Sequence, residues 1–485
     1  MLNTSVILTL KTFTEDELSS FNEFLLSPFF NKKKTVTRLF NHIRKFSPAF
    51  DSEKLDRKTV WKSIYKGKEF NYGVMKNLIY DLGKLVERYL QIIRFERSEF
   101  ARIENLTWEY IDRNLISFTE KPLRLLEELA SRNGKDTDMF ERQMNITSIK
   151  EYIASQLRDP KYLKGSYNSE YIDRHTLYYI SAVAERYYNI LMKKEFVTGK
   201  KDNSQHLEFI SMMEEYRHLD EKIIGLHIYN LLITIEPDVE SNYFECKSHL
   251  YSMIDVLSIR FRSKMLVALI NYSNSMVLKG RTEFNKELLE LIRFMIEKNA
   301  LIEKPEDWLN HYLYVIAVSS ACNQKDFDWA ESFIENYRDK VTPEFREQYY
   351  YYALTTLNMK RKNFDTALEN LSKIRPANIM DKVTVKRFEL MIFYESGYGD
   401  QFYSFLDSFN SFKNNDRHLS EQARQLITNF LYFIRKIGQI RFNMIDVATA
   451  DADINFLKEE LIKSDVINKS WLLEKLCELE FPDKE

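Results

Sequence analysis

Only 11 glycines and 9 prolines punctuate a chain of 485 residues, where average usage would supply roughly 58 of the two together. Many short strands would need many tight turns, and tight turns consume these two residues. Long helices joined by few turns are what such a chain can build. The same shortage works against phosphate-cradling loops, which need glycines so that backbone N–H groups can approach the anion. The closest glycine pair is Gly397 and Gly399, with Phe402 at the third glycine position of a dinucleotide loop. Gly134-Lys135 and Gly199-Lys200 lack both the upstream glycine and the Ser/Thr that would hold magnesium.

Charge excludes little globally, because 70 basic and 72 acidic residues leave a net −2. Locally the balance tilts. Residues 1–100 hold 18 Lys/Arg against 12 Asp/Glu, an excess of six that is offset over the rest of the chain. The three cysteines, Cys246, Cys322 and Cys477, are too far apart for a disulfide framework or a zinc spacing, which suits a reducing, cytoplasmic setting. MLNTSVILTLK at the start is too short for a signal-peptide core, and no run of about 18 apolar residues calls for a membrane span. No membrane partner is expected.

Helical signals begin at once. Thr14 and Glu17 have the spacing of a capping box, followed by Leu18, Phe21, Phe24 and Leu25 at helical period and a stop at Pro28. Further helices are expected over Thr35–Phe46, near Asp56–Tyr65 and over about Tyr72–Phe95. In the last of these, Val74, Leu78, Leu82, Leu85, Tyr89 and Ile93, with Ile79, Val86 and Leu90 beside them, predict a broad apolar stripe. Residues Ser131–Asp136 and Thr198–Ser204 read as polar turns between helices. From Ser420 to Ile437, Ala423, Leu426, Ile427, Phe430, Ile434 and Ile437 line one face, and Gly438 is placed as a C-cap.

An internal repeat sharpens the expectation. Phe327, Ala330 and Ile334 recur as Phe364, Ala367 and Leu371, offset by 37 residues, with Tyr314 and Tyr351 each 13 residues before the aromatic. A weaker earlier copy surrounds Gly280, Phe284 and Leu288, and a later one Gly399, Phe402, Phe405 and Phe409. The pattern resembles the tetratricopeptide repeat, a pair of antiparallel helices of about 34 residues. That resemblance implies that Ala330 and Ala367 sit where two helices cross closely and only a methyl fits. It also implies turn glycines, whose positions here carry Lys325 and Lys362. Together with Phe24-Leu25-Leu26-Ser27-Pro28-Phe29-Phe30-Asn31 and with Asn271-Tyr272, the block Phe327–Ile334 is also similar to a family of long helical bacterial proteins. The second resemblance implies a repeat scaffold and brings no activity, cofactor or catalytic residue.

Chemistry-bearing patterns are sparse. Glu215 and His218 have the Glu-x-x-His spacing of a di-iron helix, but no second copy exists and acidic neighbours mark a solvated helix end. No Gly-x-Ser-x-Gly, His-Glu-x-x-His or paired Cys-x-x-Cys occurs. Cys322, His175, His227 and His311 sit in apolar and aromatic surroundings that suit packing better than catalysis. A richer mixture lies between residues 30 and 70. There Lys32, Lys33, Lys34, Arg38, Arg57, Lys58, Lys62, Lys66 and Lys68 accompany Trp61 and Tyr65, cations and rings that could neutralise phosphates and stack on bases. The plainer reading anchors Trp61 and Tyr65, four apart, in a helical core. Tyr178, Tyr179, Tyr187 and Tyr188 cannot all point inward from one helix, so some should face a neighbouring groove.

These observations predict an all-α protein: an N-terminal helical bundle (1–115), helical hairpins (116–264), tetratricopeptide-like repeats (265–410) and C-terminal capping helices (411–485). The expected function is a non-enzymatic scaffold that binds a peptide or protein partner on the concave face of an α-solenoid. The alternative is a nucleic-acid-associated protein using the basic segment 30–70. No catalytic, cofactor-binding or metal-ligating residues, and no cofactor, are expected.

Overall fold

The computed structural model describes residues 4–157, 166–197, 204–304, 307–376, 378–442 and 447–480. Among these the protein is all-α. Among the described residues no strand forms, and the sheet-like pairs are the isolated parallel bridges Lys135–Leu257 and Leu309–Val341. Of the polar segment Thr198–Ser204, residues 198–203 lie outside the described residues. The chain divides into two compact units, residues 1–132 with 149–159, and residues 133–148 with 160–485.

The first unit carries the helices Ser5–Leu10, Glu15–Leu26, Lys34–Arg44, Arg57–Ile64, Tyr72–Glu96, Glu99–Asp112 and Glu120–Ser131. Thr14 accepts from the Glu17 amide at 3.1 Å while Glu17 accepts from the Thr14 amide at 3.0 Å, closing the capping box. Leu18, Phe21, Val36, Leu39, Phe40, Leu78 and Leu82 form the core. The long helix departs from the expected stripe, since Val74 and Leu90 are exposed. Leu78, Leu82, Val86 and Tyr89 face inward as expected, and Met75 joins them. A stripe wide enough to include all the apolar positions would exceed the face that the four neighbouring helices cover.

In the second unit four helix pairs follow one another in sequence. They are Ile259–Leu278 with Phe284–Glu297, His311–Asn323 with Phe327–Tyr337, Arg346–Lys360 with Phe364–Ser372, and Ile379–Glu395 with Gly399–Asn415. The two helices of each pair pack along each other, and successive pairs pack on their neighbours. All four first helices end in the same way. Gly280, Lys325, Lys362 and Gly397 take the left-handed conformation, with φ of 94°, 59°, 63° and 75°. The next amide then reaches back five residues: Arg281 to Met276, Asp326 to Ala321, Asn363 to Asn358, and Tyr398 to Phe393, at 2.8–3.1 Å. This geometry satisfies carbonyls that a helix end leaves orphaned. Two lysines adopt it despite the steric cost of a Cβ there.

Ala330 and Ala367 have no exposed surface, and Tyr314 donates from its hydroxyl to the Ile334 carbonyl at 3.0 Å, tying a first helix to its second. In the fourth pair the corresponding position, three residues into the second helix, is the fully buried Phe402. Room for that ring comes from Gly438. The helix Glu421–Arg441 runs through this glycine, so Gly438 is not the expected C-cap. A Cβ on Gly438 would lie 2.5 Å from Phe402 Cε1. Gly438→Ala is expected to cost about 1–3 kcal/mol by overpacking, visible as a lower urea midpoint. An unchanged midpoint would show that the ring moves aside freely.

Candidate functional site

The Glu215/His218 spacing is not realised on a helical face. The helix Ser204–Glu215 ends at Glu215, a 3-10 turn covers Arg217–Leu219, and the His218 ring nitrogen Nδ1 lies 3.2 Å from the Glu215 carbonyl. Among the described residues no three His, Cys, Asp or Glu side chains group to hold a metal ion. Cys246 and Cys322 are buried, and burial pushes each thiol up to about 12. His175 lies against Tyr171, with Nδ1 3.1 Å from its carbonyl.

In the basic segment the rings are committed to packing. Trp61 is 4% exposed, donates through Nε1 to the Lys68 carbonyl at 2.9 Å and packs at a tilt against Tyr65 with centroids 4.3 Å apart. Lys33 pairs with Asp81 at 2.7 Å. Lys32, Lys34, Arg38, Lys58, Lys62, Lys66 and Lys68 lie at the surface, and the Arg57 guanidinium stands 5.2 Å over the exposed Tyr72 ring. Of the tyrosines on the helix Ser166–Val197, Tyr179 is exposed, while Tyr178, Tyr187 and Tyr188 pack against the core.

The first helices of the pairs carry a different assembly. At their N-terminal ends His311 packs at a tilt against Tyr312, Phe345 and Tyr349, each ring centroid within 4.4 Å of its own. Burial lowers the His311 pKa. Tyr312 and Trp308 are more than half exposed, with the Arg346 guanidinium over the Trp308 ring at 5.5 Å. Tyr352 lies deeper, its hydroxyl pushed up to about 12 by burial. Amphipathic rings with accessible edges suit protein contacts.

The C-terminal ends of the first helices Ile259–Leu278, Arg346–Lys360 and Ile379–Glu395 meet the helix Lys469–Glu480. Ser470 Oγ donates to the Val277 carbonyl at 2.7 Å, Glu474 stands 3.7 Å from Lys360, and Trp471 Nε1 donates to Glu395 at 2.8 Å. Lys475, 5% exposed at the side chain, pairs with Glu395 at 2.9 Å and with Glu478 at 2.7 Å. Burial alone would lower its pKa, but Glu395, Glu478 and Glu474 outweigh that and hold the ammonium above the ordinary lysine value. Beside this contact an open depression of about 420 Å³ is lined by Lys362, Asn363, Phe364, Glu395, Ser396 and Tyr398.

Sequence reasoning missed both assemblies. The available signals were the rings spaced through residues 308–352 and a Trp-Leu-Leu-Glu-Lys-Leu run near the end of the chain. Neither says which distant residues it will meet. Among the described residues no helix is long and apolar enough to cross a membrane. No family model, curated protein or solved structure matches this chain.

Proposed function

We propose that the chain is a non-enzymatic interaction scaffold, a tetratricopeptide-like α-solenoid whose first helices line the concave face that holds a peptide or protein partner. One observation carries the reading: four successive helix pairs are closed by the same left-handed turn and five-residue back-bond. A shared turn brings the second helix of each pair back along the first, and stacked pairs build a continuous surface from one helix of each. Supporting it, the exposed rings of Trp308 and Tyr312 lie at or near the start of a first helix. Three unpaired cysteines fit a reducing compartment. Trp61, packed in the core, is not free to stack on a base, which weighs against the nucleic-acid alternative.

Photo-crosslinking tests the proposal. A benzophenone amino acid at Tyr312 should trap one discrete protein from the native host, and the same group at exposed Asp328 on a second helix should not. Tyr349→Ala should weaken that adduct in a chain that keeps its helical content. Equal labelling from both positions, or none from Tyr312, would reject the first-helix face as the binding face.

A further inference from the structure

Aromatic rings run without a break across three first helices. Tyr312 stands edge-on to Tyr349 at 5.8 Å, Tyr349 meets Tyr352 at 5.6 Å, and Tyr352 meets Phe388 at 5.9 Å. The Tyr352 hydroxyl also donates to the Asp381 carbonyl at 3.4 Å, tying Arg346–Lys360 to Ile379–Glu395. One end of the row, Tyr312, is exposed. At the other end the Arg387 guanidinium lies 5.4 Å from the Phe388 centroid.

Arg387 differs from the other arginines on the helices of the four pairs. Arg260, Arg293 and Arg346 each pair with a carboxylate, and Arg262 reaches the Lys298 carbonyl. Half-buried Arg387 has neither kind of partner among the described residues. Its Nε is enclosed without a hydrogen bond, and its terminal nitrogens, still accessible, make none either. The acids on its own helix are engaged elsewhere. Glu389 faces Lys386, and buried Asp381 accepts from the Asn378 side chain at 3.0 Å. Burial lowers the Arg387 pKa, and Tyr352 is the neighbour that opposes the shift. Burial also pushes the Tyr352 hydroxyl up to about 12, so that group stays neutral near pH 7 and compensates no charge. A half-buried cation without an acid is costly, and here the fold leaves it uncompensated.

We infer that Arg387 is the anion-recognising end of the first-helix face, taking a Glu or Asp side chain of an extended partner peptide whose apolar residue lies on Tyr312. The inference rests on the proposed function and adds the chemistry of its partner. A carboxylate and a guanidinium form a two-pronged, charge-assisted contact, and rings around the pair keep water from screening it. One cation among rings suits a single carboxylate, whereas a nucleic-acid backbone asks for several. Packed helices lie about 8–10 Å apart, so Tyr312 and Arg387, two helices apart, are joined by about five extended residues.

The probe is a displayed library of random twelve-residue peptides, fused so that no free C-terminus is offered, and panned on the full chain. Selected peptides should carry Asp or Glu about five residues from an aromatic or aliphatic one, and panning on Arg387→Met should lose the acid. A selected peptide, labelled with fluorescein, should bind Arg387→Met about tenfold or more weaker than the unaltered chain. Changing its acid to Gln should cost the same, and both changes together should cost no more than either alone. Should Arg387→Met fail to fold, the Gln peptide on the unaltered chain decides. Equal selection of acids on both chains, equal binding of the Gln peptide, or no peptide selected on either chain would overturn the inference. A Tyr312 adduct of equal yield in the unaltered and Arg387→Met chains would also overturn it, while leaving the scaffold reading intact.

Discussion

Replacing Ala330 and Ala367 together by Trp is expected to destabilise the second unit by about 2–6 kcal/mol, with about 1–3 kcal/mol from each site. Both alanines have no exposed surface and belong to one core cluster. An indole at either place has no cavity to enter, so it must push two helices apart or take a strained rotamer. A whole domain is stable by only about 5–15 kcal/mol, so the double variant should lose much of its cooperative unfolding transition. Thr366→Trp, one residue from Ala367 but exposed, is the control and should shift the urea midpoint little. If the double variant melts with the unaltered chain, the two alanines are not crossing points and the repeat register is wrong.

Acid should weaken the same unit through His227. This ring is 1% exposed, has no hydrogen-bond partner on Nε2 and packs against Phe261 with centroids 5.3 Å apart. Burial lowers its pKa from 6.5 to about 4, with Glu185 opposing the shift and Lys264 adding to it. Those two groups face it from the helices Ser166–Val197 and Ile259–Leu278, and they are already paired with each other, with Thr137 donating to the same carboxylate. Between pH 6.5 and 4 the unfolded chain binds a proton that the folded chain refuses. Stability is therefore fully present above pH 6.5 and falls as the pH drops toward 4. At about 1.36 kcal/mol per pH unit the loss amounts to roughly 3 kcal/mol. Glu185 acts in the same direction at lower pH. Burial raises its carboxyl, but the Lys264 and Thr137 bonds outweigh burial and leave the pKa below 4.5. His227→Phe should flatten the fall in the urea midpoint between pH 7 and 4.5 relative to the unaltered chain. Parallel slopes in the two proteins would show that His227 is protonated in the fold or reached by water.

The amino-acid sequence by itself determined the helical class, the capping box at Thr14 and Glu17, and most helix boundaries in the first hundred residues. These depend on neighbours within about one turn of helix, where apolar spacing, caps and breakers act directly. The 37-residue recurrence also located Ala330 and Ala367, because a repeated local pattern marks a repeated local environment. Only the tertiary structure decided the rest. Lys325 and Lys362 read as missing glycines, yet both take the glycine conformation, since the back-bonds to Ala321 and Asn358 hold the turn. Gly438 looked like a helix end and proved to be the recess for Phe402. The seat of Lys469–Glu480 on Val277, Lys360 and Glu395, and the burial of His227 beside Glu185 and Lys264, join residues tens to hundreds of positions apart. Periodicity states which face of a helix is apolar; which neighbour covers that face depends on packing volume and charge matching among all the helices at once.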